Sequence, residues 1–168
     1  SSLRKLSDPG SKHIVRKIGD DAAIIKFNSS FQALTTAHLR SFTKDAWLQS
    51  KITATHALGD IWAMGSDPEI ALTNIIIPES SNDIQKRTIE EIIDGANSVF
   101  GAEGVKIVGG HTSLGKELVI GFTLGGLSKN QPKTVDRASV GDQIILTKPL
   151  GSGVLLAGEM RFEGEGQD

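Results

Sequence analysis

Apolar residues recur at helical spacing in two long stretches, Asp45 to Met64 and Ile84 to Phe100, and the other long apolar runs have strand length. In the first stretch Leu48, Ile52, Thr55, Gly59 and Trp62 fall at steps of three or four, and Ala54, Ala57, Leu58 and Ile61 widen the apolar face. Thr43 or Asp45 is placed to cap its start, and Gly65, with Pro68 beyond it, to end it. In the second, Ile89, Ile92, Ile93, Ala96 and Val99 form the inward stripe, and Gly101 and Gly104 stop the helix. Ala22 to Phe27 and Phe31 to Thr36, split by the turn cluster Asn28-Ser29-Ser30, read as a β-hairpin. Ile70 to Ile77, Val105 to Val108, Leu118 to Gly126 and Gln143 to Thr147 read as further strands, and Gly151 to Met160 as the start of a third helix. Two long helices among five or six strands predict an α+β fold, a mixed β-sheet with helices packed on one face.

Composition narrows the function classes. The 168 residues carry 18 Lys plus Arg against 20 Asp plus Glu, a net charge of −2, which argues against a nucleic-acid or membrane-surface partner. The absence of cysteine rules out disulfides, a thiolate zinc site and a cysteine nucleophile. No apolar run approaches the ~20 residues that span a bilayer, and no signal peptide precedes the first polar stretch, so a cytoplasmic location is expected. Glycine is the unusual count, 19 residues, or about 11% against a usual ~7%, and it falls in short clusters.

Those clusters mark the candidate chemistry. Asp20-Asp21 follows Gly19 and precedes a strand; adjacent carboxylates there are hard oxygen ligands suited to Mg²⁺, or a solvated turn. Asp60 lies among apolar helix neighbours, where a carboxylate is costly unless it is paired, bound to a metal or on the exposed stripe. Gly109-Gly110-His111-Thr112, after a strand, can present backbone N–H groups to phosphate oxygens, and equally can be a turn with a loop histidine. In Thr147-Lys148-Pro149-Leu150-Gly151-Ser152-Gly153 the lysine precedes the glycines, unlike a Walker A loop.

Taken in order, Gly19-Asp20-Asp21-Ala22-Ala23-Ile24, Thr35-Thr36, His56-Ala57-Leu58-Gly59-Asp60-Ile61-Trp62-Ala63-Met64-Gly65, Gly109-Gly110-His111-Thr112 and Leu146-Thr147-Lys148-Pro149-Leu150-Gly151 resemble the selenophosphate synthetases (selenide, water dikinases). These belong with aminoimidazole ribonucleotide synthetase and thiamine-monophosphate kinase in one superfamily. The resemblance implies an N-terminal domain of the aminoimidazole ribonucleotide synthetase type, dimerising through its sheet and binding ATP and Mg²⁺. Asp21 and Asp60 match metal-binding aspartates, with Asp20 beside them, and Gly109, Gly110, His111 and Thr112 match a loop that contacts nucleotide. The organisation expected is a flexible lead-in over 1–17, the ATP-binding domain over 18–158, and a truncated linker over 159–168 to a missing C-terminal domain. The parent would convert ATP, selenide and water to selenophosphate, AMP and phosphate; the isolated fragment is expected to be inactive. Two departures stand out. Ala37 sits where the family reads a third aspartate, and His56 where it usually reads Asn. They motivate the alternative of a degenerate nucleotide-binding or dimerisation module; a related phosphotransferase such as a thiamine-phosphate kinase is a further alternative.

Overall fold

The structure, a computed structural model, describes residues 12–15 and 19–160; the expected lead-in over 1–17 and tail over 159–168 lie largely outside them. The chain divides into two compact units, one ending at Val135 and one beginning at Asp136.

In the first unit β1 (Ala23–Phe27), β2 (Ser30–Arg40), β3 (Asp67–Pro78), β4 (Lys106–Gly115) and β5 (Val119–Ser128) form one sheet in the spatial order β1-β2-β5-β3-β4. β3 and β4 are parallel and the other neighbours antiparallel, so the expected mixed sheet is present. Parallel neighbours need a crossover, and helix α2 (Asn82–Phe100) supplies it, while α1 (Ala46–Ala63) joins β2 to β3. Both helices pack over one face of the sheet. Ala33, Thr35 and Ala37 of β2, Ala71, Thr73, Ile75 and Ile77 of β3, and Ile120, Phe122 and Leu124 of β5 are all buried beneath them, at the period of two that a pleated strand imposes. Phe100 closes this core edge-on to Phe122, ring centroids 5.1 Å apart. At the β1 edge Val15 N–H donates to the Ile24 carbonyl and Lys26 N–H to the His13 carbonyl, adding a short sixth lane.

Asp45 caps α1 as expected, its carboxylate accepting the Leu48 N–H at 2.9 Å. The buried face of α1 differs from the expected one. Leu48 and Trp62 are exposed, and the inward residues are Ala46, Gln49, Ser50, Thr53, Ala54, Ala57, Leu58 and Ile61. Hydropathy misleads here because most of the buried polar atoms find partners, Gln49 Oε1 being the exception. Ser50 Oγ donates to the Ile92 carbonyl of α2, Thr53 to Gln49 O, and the Gln49 amide to Leu39 O. Small residues also let the helices approach closely: a Cβ on Gly95 would overlap the Trp47 carbonyl.

Two strands run further than their apolar cores suggest. β2 continues to Arg40, and β4 continues through Gly109-Gly110-His111-Thr112, which is therefore strand and not loop. Pairing explains it: Gly109, Gly110, His111 and Thr112 lie opposite Leu72, Thr73, Asn74 and Ile75. In the second unit α3 (Ser152–Met160) forms, but Gln143 to Thr147 does not become a strand. Its apolar residues Ile144, Ile145 and Leu146 are exposed.

Candidate functional site

The centre of the candidate site is a threonine. Thr35 sits on the helix-facing side of β2, 8% exposed, and α1 crosses above it. Its hydroxyl lies 2.6 Å from Asp60 Oδ2 and 3.2 Å from the Asp21 carbonyl. One hydroxyl has one proton. The shorter contact, to an ionised carboxylate, is the charge-assisted bond that takes it. Thr35 thus brings the mid-helix aspartate to the strand mouth that carries Asp21. It also answers how Asp60 tolerates its apolar neighbours: the carboxylate is half-buried and hydrogen-bonded.

The chemistry of this donor set fits a divalent cation. Thr35 occupies one oxygen of Asp60, and the Asp21 side chain is exposed. Two carboxylates without a third match the way Mg²⁺ is commonly held, through one or two protein carboxylates with waters and substrate phosphates completing its shell. Among the described residues no group of three or more His, Asp or Glu is arranged to hold a metal alone.

Asp20 does something different from its neighbour: its Oδ1 accepts the Val135 N–H at 3.1 Å. Ala37 is 9% exposed, one pleat along from Thr35 on the same side of β2, so a methyl group sits where the resemblance implies a third aspartate. His38 cannot replace it. Strand alternation turns His38 to the open face of the sheet, where it lines a groove of about 330 Å³ with Arg40, Asn74, Ile76, Glu117 and Val119. There Arg40 makes a two-pronged bond to Glu117, at 2.8 and 3.1 Å, which raises the guanidinium pKa above its ordinary value. No sequence signal announced this groove; in the register Gly121 of β5 lies between His38 and Asn74.

Gly109, Gly110, His111 and Thr112 are not brought to the aspartates within one chain. β4 lies three strand steps from β2, roughly 14 Å at ~4.8 Å per step. Among the described residues β4 is an edge strand, so its outward N–H groups are not paired by a further strand there. The sequence singled out Asp21 and Asp60 as candidates but not the Thr35 hydroxyl between them, although Thr35 was part of the motif.

Comparison with known proteins agrees with this architecture. The family described as AIR synthase related protein, N-terminal domain, matches residues 19–128. The chain belongs to that family. Over 151 residues, 89% of this chain, it is 34% identical to the selenide, water dikinase of Pseudomonas putida, and over 144 residues, 84% of the chain, 32% identical to that of Aeromonas hydrophila. It spans only 43% and 41% of those two proteins. Among solved structures, AaThiL complexed with AMPPCP and TMP superposes with a TM-score of 0.62 at 23% identity, covering 72% of this chain and 38% of that one. The thiamine-monophosphate kinase of Stenotrophomonas maltophilia superposes with a TM-score of 0.53 at 26% identity, covering 71% and 38%. No described helix is long and apolar enough to cross a membrane.

Proposed function

We propose that this chain is the ATP- and Mg²⁺-binding N-terminal part of a selenide, water dikinase-like enzyme, whose parent turns ATP, selenide and water into selenophosphate, AMP and phosphate. The observation that carries the reading is Thr35, which binds Asp60 while its hydroxyl lies 3.2 Å from the Asp21 carbonyl, in a chain 34% identical to a selenide, water dikinase. Asp21 and Asp60 hold the cation through carboxylate oxygens, Thr35 fixes the orientation of Asp60, and Gly109, Gly110, His111 and Thr112 offer edge N–H groups to the nucleotide. When bound there, Mg²⁺ offsets the phosphate charge that would repel an incoming nucleophile. The remaining site residues belong to a C-terminal domain of the parent, and the setting is the cytoplasm, with a small-molecule acceptor and neither nucleic acid nor membrane as partner.

Phosphorus NMR of the full-length parent with Mg·ATP and selenide tests the reaction. Selenophosphate and AMP are expected together, while the 168-residue chain alone leaves ATP unchanged. ATP left intact by the parent overturns the dikinase reading. It would favour the second reading, a degenerate nucleotide-binding module, for which the buried methyl of Ala37 is the specific observation.

The same reading includes a homodimer formed through the sheet. The face opposite the helices exposes Ile70 and Leu72 of β3 and Leu127 of β5 at 40%, 42% and 47%. Contiguous apolar surface of this kind marks an interaction site, and a second copy supplies a self-complementary cover. Light scattering at tens of micromolar is expected to give the mass of two chains; the mass of one chain refutes it.

A further inference from the structure

The adjacent aspartates of the Gly19-Asp20-Asp21 turn have separate tasks, and the task of Asp20 is visible in what its carboxylate holds. After β5 the chain returns along the end of α1. Pro132 is buried, Lys133 N–H donates to the Met64 carbonyl at 2.9 Å, and the Lys133 methylenes lie against Gly65. Two residues on, Val135 N–H donates to Asp20 Oδ1 at 3.1 Å. The segment 132–135 is therefore pinned at both ends: to the last turn of the helix that carries Asp60, and to the residue before Asp21.

We infer that Asp20 is a positioning residue that anchors this segment as a second brace between the two carboxylate-bearing elements, and that it is not itself a cation ligand. The first brace is the Thr35–Asp60 hydrogen bond on the core side, which ties α1 to β2 with the Asp21 carbonyl 3.2 Å from the same hydroxyl. The second runs outside, from Met64 to Asp20, four residues along α1 from Asp60 and one residue from Asp21. A single hydrogen bond leaves a hinge; two separate ties fix a spacing. For a small cation that demands near-ideal geometry, a fixed spacing between its two protein carboxylates decides affinity. Neighbouring side chains at a strand mouth point to different sides, so one of the pair can face the cation while the other faces the returning segment.

This inference rests on the proposed cation site at Asp21 and Asp60, and the experiment separates the two. Mn²⁺ binding to the 168-residue chain, in the presence of ATP, is titrated by water-proton relaxation for the wild type and for D20A, D20N, D21N and D60N. Amide exchange at Val135 is followed by NMR in the same proteins. D20A is expected to speed Val135 exchange at least tenfold and to weaken Mn²⁺ three- to tenfold. D20N keeps an acceptor oxygen and restores both to within twofold. If D20N weakens Mn²⁺ as much as D21N does, Asp20 is a ligand and the inference fails. If D20A exchanges faster at Val135 yet binds Mn²⁺ like the wild type, the anchor is structural only and the inference also fails. If the wild type and D60N bind Mn²⁺ alike, the cation site itself is wrong and both readings fall.

Discussion

Gly110→Ala is expected to lower the stability of the sheet unit by about 3 kcal/mol or more, near the upper end of overpacking effects. A Cβ at this position would overlap the Oγ1, carbonyl oxygen and amide nitrogen of Thr73, the residue opposite it in the parallel β3–β4 pair. Two of these three atoms are backbone of an inner strand, which cannot move without disturbing β5 on its other side. Gly109→Ala is the matched control, because its Cβ would meet only Leu72 Cδ2, at 3.4 Å. Urea denaturation of the two variants should show a large loss for Gly110→Ala and less than about 1 kcal/mol for Gly109→Ala, in line with an ordinary surface change. Equal losses would mean that the two strands do not approach as closely as described.

Asp60→Asn is expected to weaken Mn²⁺·ATP binding by roughly 100-fold or more, beyond the 10–100-fold typical of partners one shell further out. The substitution keeps an oxygen that accepts the Thr35 hydroxyl, so the fold is retained and the loss reads the charge. Calorimetric titration measures the affinity, and the thermal midpoint, within a few degrees of the wild type, confirms that the variant is folded. Wild-type affinity in Asp60→Asn would remove Asp60 from the cation site.

The fold was legible in the chain because its helices and strands obey different periods, and the order of those periods admits few architectures. The face of α1 was not. Leu48 and Trp62 look like core, and Gln49, Ser50 and Thr53 look like surface, yet the reverse holds. What inverts the pattern is hydrogen bonding across 42 residues of sequence, from Ser50 to Ile92, which hydropathy cannot register. The extension of β4 through a glycine pair was hidden for a similar reason: Gly109-Gly110 reads locally as a turn, and only the neighbouring Thr73 explains why a side chain is excluded. Of the candidate site, Asp21 and Asp60 were legible as carboxylates in a recurring order. The separation of tasks between Asp20 and Asp21 was not, because it depends on a backbone N–H 115 residues away.

The place of β5 in the sheet has a bearing on how the molecule comes into being. It is the last strand of the sheet to be made and lies between β2 and β3. Until Ser128 has been synthesised, the β1–β2 hairpin and the β3–α2–β4 crossover are two half-sheets with no bond between them, each with an inner edge exposed. Closure therefore waits on contacts distant in sequence, which makes folding slow. At roughly 5–20 residues per second, the nascent chain carries those bare edges for several seconds.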